Sequence, residues 1–126
     1  CNEIGSTLGL GHLLSWSSYG KEDIKIAAFK ISEKTRISID IHTKNGSSWS
    51  NGSDSETVPA IRSEIRTLTG AGDVWDAADV IGYLAGMDPR DRLTFANATS
   101  SLYIRNHFSE PPTLDEVVDL LDRIKM

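Results

Sequence analysis

The sequence predicts an α/β fold: a Rossmann-like half, in which a sheet carries flanking helices, closed by a run of helices. Two patterns carry that prediction. Residues 36–42 (RISIDIH) alternate strictly, which puts Ile37, Ile39 and Ile41 on one face, as in a half-buried strand. The segments around them space their apolar residues by three and four, and three such segments follow one another after residue 73.

Taken in order, residues 4–16 place Ile4, Leu8, Leu13 and Leu14 at loosely helical spacing, weakened by Gly5, Gly9 and Gly11. Residues 22–34 carry Ile24, Ala27, Ala28 and Ile31 on one helical face. The alternating strand follows. Residues 45–55, rich in Gly, Ser and Asn around Trp49, read as a loop or hairpin turn. Residues 58–68 hold short extended stretches interrupted by Pro59. Residues 73–87 form a helix whose apolar stripe is Val74, Ala77, Ala78, Ile81 and Leu84. Pro89 opens the next helix, to about residue 104. Pro111 and Pro112 break the chain, and Thr113-Leu-Asp-Glu116 supplies a capping box for a last helix to Lys125. No internal repeat or linker divides the chain, so residues 1–126 read as one domain.

Composition narrows the function classes. The 126 residues suit a single core of ordinary size, and the hydrophobic content of 39% is that of a globular protein. A net charge of −5 argues against nucleic acid or a membrane surface as partner, because phosphate backbones attract basic faces. No apolar run approaches the roughly 20 residues that span a bilayer. A lone Cys1 excludes an internal disulfide framework or thiolate zinc cluster. Asn45, Asn51 and Asn97 each head an Asn-x-Ser/Thr sequon, read as chance without a signal peptide, and the location expected is the cytoplasm. The start at Cys1, without methionine, suggests a fragment or a processed chain.

The stretch Thr67-Leu-Thr-Gly-Ala-Gly-Asp-Val74 is the least ordinary in the chain. Gly70, Ala71 and Gly72 contribute little to a core, yet they stand directly before Asp73 and a helix. A helix N-terminus presents unpaired N–H groups and a partial positive charge, so it holds anions. Small residues let a phosphate reach those groups, and an acid beside them can accept a proton from a hydroxyl. Bare backbone donors plus one carboxylate are what phosphoryl transfer to an alcohol requires. An Asp that only caps its helix explains the same six residues equally well.

The run TGAGDVWDAA resembles the C-terminal motif of the PfkB/ribokinase family of carbohydrate and nucleoside kinases, in which Gly-Ala-Gly-Asp precedes an aromatic and small residues, here Trp75, Ala77 and Ala78. Phe95-Ala-Asn-Ala98 resembles that family's segment bordering the nucleotide base. Pro-Thr-Leu-Asp-Glu-Val-Val resembles its closing helix, and IDIHTKNGS its strand and nucleotide loop. The resemblance covers the whole chain as the C-terminal portion of a ribokinase fold. It implies an ATP- and Mg2+-dependent kinase of a sugar or nucleoside hydroxyl. Asp73 would be the catalytic base, with the amides of Gly70, Ala71 and Gly72 as the anion hole. Thr43 and Gly46 would face the nucleotide phosphates, Asn97 would line the adenine pocket, and Glu3 would organise magnesium. The resemblance leaves homodimerisation open.

Departures from the family pattern stand beside these matches. Thr67 and Leu68 replace an Asp/Asn-Thr pair that shapes a monovalent-cation site. Of the Thr-x-Gly-x-x-Gly loop only Gly46 remains, with Ile41 and Thr43 at the first two positions. Asp79 stands where an apolar residue is usual, and with Asp76 reads as one solvated helix face. Gly9-Leu-Gly11 lacks a preceding strand and reads as noise. His12, His42 and His107 are too scattered for a metal site, His42 being the one near the nucleotide loop. Trp16, Trp49 and Tyr83 read as packing residues. The alternative function is a nucleotide-binding or protein-interaction domain that keeps the scaffold without catalysis.

Overall fold

A computed structural model of the chain describes residues 21–106 and 110–125. The expectations for residues 4–16, Glu3, Gly9 to Gly11, His12, Trp16 and His107 fall outside these. The chain forms two compact units, the first ending at Pro59 and the second beginning at Ala60.

In the first unit, helix α1 (Lys21–Thr35) is followed by strands β1 (Ile39–Thr43), β2 (Gly46–Ser50) and β3 (Ser55–Pro59). The predicted stripe of α1 is its buried face: Ile24, Ala27, Ala28 and Ile31 pack with Ile41, and Ile39 closes the edge of this cluster. Burial of four such side chains is the main attraction between helix and sheet, at about 25 cal/mol per Å² of apolar area. The sheet is an antiparallel meander in the order β1-β2-β3.

Two expectations need correction here. The strand predicted over residues 36–42 starts at Ile39, and Ile37 is exposed. Its backbone is claimed first by the helix end: Arg36 adopts φ 60, and the Ser32 hydroxyl donates to the Ile37 carbonyl at 2.6 Å. Residues 45–55, read as a loop, are mostly strand. β2 pairs Ile41 with Ser48 on one side, and Ser48 with Thr57 on the other. Ser47, Ser48 and Ser50 are buried. Ser48 Oγ donates to the Glu56 carbonyl at 3.0 Å and lies 2.9 Å from Thr57 Oγ1, so its burial leaves no orphan hydroxyl. Asn45 belongs to the β1–β2 turn, and residues 51–54 make the next one, where Asn51 Oδ1 accepts from the amides of Ser53 and Asp54.

The second unit is helical: α2 (Ala71–Leu84), α3 (Pro89–Ile104) and α4 (Leu114–Lys125). α3 is its centre, with Leu93, Phe95, Ala96, Ala98, Leu102 and Tyr103 buried. Asp88 caps α3, accepting from the Asp91 amide at 2.9 Å, with Pro89 in its first turn. The predicted capping box of α4 is formed, Thr113 Oγ1 and the Glu116 carboxylate each meeting the other residue's amide.

α2 begins at Ala71, two residues before the expected start at Asp73, and ends at Leu84, ahead of Gly86 at φ 79. Its buried face is Trp75, Ala78 and Gly82, so of the predicted stripe only Ala78 is buried, and Ile81 and Leu84 are exposed. Trp75 is the largest side chain on that helix, and its indole N–H donates to Asn97 Oδ1 at 2.8 Å. Asp79 is not a solvated residue. Arg92 Nε lies 3.0 Å from its Oδ1, with the Arg92 side chain 7% and the Asp79 side chain 16% accessible. Gly82 makes room for this pair, since a Cβ there would meet Arg92 Cγ at 2.9 Å. Tyr83, expected as a packing residue, is exposed, and the Arg92 guanidinium lies 5.7 Å from its ring centroid.

Candidate active site

The start of α2 is set by Gly70, its N-cap, at φ 87 and ψ −2. That left-handed conformation costs an ordinary residue about 1–2 kcal/mol. A second constraint acts at the same place: a Cβ on Gly70 would lie 2.7 Å from Tyr103 Oη. Tyr103, buried near the end of α3, donates its hydroxyl proton to the Thr69 carbonyl at 2.5 Å. The incoming strand of the loop is held by α3 as well, because the amides of Arg66 and Thr67 both donate to the Ile104 carbonyl, at 2.7 and 2.9 Å. Ser100 Oγ donates to the Ala71 carbonyl at 3.4 Å, so the C-terminal half of α3 grips both sides of the turn.

This fixes which donors are open. The Ala71 amide, expected among the anion-hole donors, is not open: it donates to the Leu68 carbonyl at 3.1 Å, and the Val74 amide begins the helix ladder on Gly70. Among the described residues the amides of Gly72 and Asp73 make no hydrogen bond, and the helix dipole gives this end a partial positive charge. Asp73 occupies the first turn with its side chain exposed, and its carboxylate has no hydrogen-bond or ion-pair partner among the described residues. It is not the cap of its own helix, since Gly70 takes that position with no side-chain bond.

Asp73 also lies on the wall of a cavity of about 410 Å³ formed within this unit. Val74, Ala77, Ala78 and Ile81 of α2 line one side, and Phe95 and Thr99 of α3, with Pro111, Pro112, Leu114 and Val117, complete it. The stripe that the sequence assigns to a core therefore faces this cavity. Its volume and apolar lining are those of a small-molecule site, with one carboxylate as its charged group.

The other sequence-predicted residues are placed as follows. Asn97 is buried, with Trp75 as a partner, and does not line the cavity; Phe95 and Thr99, two positions to either side, do. Thr43 and Gly46, in the first unit, close the two-residue β1–β2 turn: Thr43 Oγ1 accepts from the Asn45 amide at 3.2 Å, and Gly46 is buried at φ 149. His42 is half-buried on β1. Glu3 falls outside the described residues. Among the described residues no group of three His, Cys, Asp or Glu side chains could hold a metal. The residues that sequence reasoning missed are Tyr103, Ser100 and Thr69. No local pattern marks them, because 34 positions separate Tyr103 from Thr69 and only the α2–α3 packing joins them.

Comparison with known proteins bears on the family and the fold. Residues 15–115 match the family described as pfkB family carbohydrate kinase. No curated protein sequence matches significantly. Among solved structures, phosphofructokinase-2 from Escherichia coli, in complex with substrates and products, superposes with a TM-score of 0.73 at 14% identity, over 96% of this chain and 39% of that one. An Escherichia coli protein assigned as ribokinase II, in complex with ATP and Mg2+, gives 0.70 at 21% identity, over 97% and 42%. A nucleoside kinase from Burkholderia thailandensis in complex with inosine gives 0.66 at 20%, over 94% and 44%. The chain thus spans less than half the length of each of these structures, and at these identities the likeness is one of fold.

Proposed function

Because the chain belongs to the pfkB family of carbohydrate kinases, we propose that it is the nucleotide-binding and catalytic portion of an enzyme transferring the γ-phosphoryl group of ATP to a sugar or nucleoside hydroxyl. The observation that carries this reading is the Asp73 carboxylate, without a partner among the described residues, beside two amides that are open among them at a helix N-terminus and on the wall of a cavity. Asp73 takes the proton of the acceptor hydroxyl as oxygen attacks phosphorus. The amides of Gly72 and Asp73, with that of Gly70, face the equatorial oxygens of the migrating group, where charge is spread in the transition state. The αL turn at Gly70 holds these donors in place before the reaction, so little reorganisation accompanies the charge shift.

Magnesium would arrive with the nucleotide phosphates, since that ion binds through one or two carboxylates plus phosphate oxygens. Its acidic anchor in the sequence reading is Glu3, and no step above passes through the metal. Thr43 and Gly46, at the end of a tight hairpin, remain the proposed contacts to the nucleotide phosphates. Asn97 would act on the base pocket through the position of Trp75, with which it is hydrogen-bonded.

The test is ligand-induced stabilisation of the intact protein. Mg-ATP or Mg-ADP at about 100 times its dissociation constant should add about 2.7 kcal/mol, a visible rise in melting temperature. A panel of sugars and nucleosides then identifies the acceptor by phosphate transfer. No shift with any nucleoside triphosphate at millimolar concentration would overturn the reading.

A further inference from the structure

The turn that leads into α2 is tied to the neighbouring helix by a side chain. In a continued α-helix the amide of Asp73 would donate to the carbonyl four residues back, that of Thr69. Here the Thr69 carbonyl accepts from the Tyr103 hydroxyl at 2.5 Å, and the Asp73 amide has no backbone partner among the described residues. Gly70 turns αL at the same point, and the Tyr103 Oη fills the space in which its Cβ would stand. Tyr103 is 5% exposed, so water does not compete well for that carbonyl. The next residue of α3 holds the same loop, since the Ile104 carbonyl accepts from the amides of Arg66 and Thr67.

From this geometry we propose that Tyr103 is a positioning residue for phosphoryl transfer. By engaging the Thr69 carbonyl it keeps the amide of Asp73 free for the phosphoryl oxygens and fixes the Asp73 carboxylate toward the acceptor. The inference rests on the kinase reading above. It adds a residue that touches neither substrate nor phosphate and that acts from 34 positions away in the chain. Its chemistry is a single donated hydrogen bond, so the ring and the hydroxyl can be separated by one substitution.

The experiment is a kinetic cycle of Tyr103→Phe and Gly70→Ala in the intact protein, with Asp73→Asn measured beside them. Tyr103→Phe keeps the ring and removes only Oη. It should lower kcat at least about tenfold, because displacement of reacting groups by about 1 Å costs up to about a hundredfold. KM for the nucleotide should stay within about twofold, as a loss confined to the transition state requires. Gly70→Ala should lower kcat by itself through φ strain and the contact with Oη. In the Tyr103→Phe background it should cost less, since the nearest remaining atom is Cζ at 3.5 Å. If Tyr103 only holds the helices together, Tyr103→Phe will lower the melting temperature while leaving kcat unchanged at temperatures where it is folded, and the two substitutions will add; either result overturns the proposal. A Tyr103→Phe protein that does not fold leaves Gly70→Ala to decide, because an unchanged kcat there shows the turn geometry to be irrelevant. The arms also separate this inference from its premise. An Asp73→Asn protein with a large loss beside a fully active Tyr103→Phe refutes the positioning role alone; a fully active Asp73→Asn refutes Asp73 as the base and the positioning role with it; and a parent that neither binds nucleotide nor transfers phosphate refutes the kinase reading itself.

Discussion

Gly70 and Asp79 illustrate what a single residue reveals and conceals. Gly70 was conspicuous in the sequence as a residue with no packing value, and the structure gives two reasons for it: a positive φ and a tyrosine oxygen where its side chain would be. Asp79 was misread, because an acid on an amphipathic helix is ordinarily solvated and nothing nearby in the chain marks its partner. That partner, Arg92, comes from the next helix and is buried, with Asp79 half-buried against it. Removing one member of such a pair leaves a charge in a low-dielectric site, at a cost of about 3–5 kcal/mol. Arg92→Ala should therefore lower the unfolding free energy by about 3 kcal/mol in urea titration, with some of the loss from the packing of its stem under Gly82. A change below about 0.5 kcal/mol would mean that the two side chains are solvated and that the gap left by Gly82 has another purpose.

Elements were legible where burial is apolar and obscure where it is polar. The four-residue stripe of α1 and the start of α3 at Pro89 follow directly from spacing and proline chemistry. β2, by contrast, reads Gly-Ser-Ser-Trp-Ser, with none of the β-branched residues that mark a strand. It is a central strand all the same, because its hydroxyls find partners on β3 and its small side chains fit beneath α1. Ser48→Ala should accordingly destabilise by about 1–3 kcal/mol, since it removes the bonds to the Glu56 carbonyl and to Thr57 Oγ1, measured by thermal unfolding. A neutral result would show that the hydroxyl is not needed to seat β2. The stripe of α2 fails for a different reason. Val74, Ala77 and Ile81 are apolar as a core face should be, but they line the cavity, and only the position of α4 with Pro111 and Pro112 distinguishes a cavity wall from a core.

For the molecule as a whole, family membership rests on residues 15–115, and the fold on structures of which the chain spans less than half. The candidate site was legible in part: Gly70, Ala71, Gly72 and Asp73 stand out because small residues before an acid have little packing value, whereas Tyr103 reads as an ordinary core aromatic and its bond to the Thr69 carbonyl exists only in three dimensions. Among the described residues no helix is long and apolar enough to cross a membrane. Each unit has its own buried cluster or helix centre, and the chemistry assigned to the second turns on one carboxylate. Steady-state kinetics of Asp73→Asn in the intact protein test that assignment most directly. Asparagine keeps the shape and polarity of the side chain but cannot accept the proton, and a general base contributes about 10²–10⁴-fold to rate. The variant should fold with an unchanged melting temperature, bind nucleotide as well as its parent or slightly more tightly, and lose at least about a hundredfold in kcat. An Asp73→Asn protein that phosphorylates the same acceptor at the parental rate would contradict the account and leave the turn as an anion-binding module without a base.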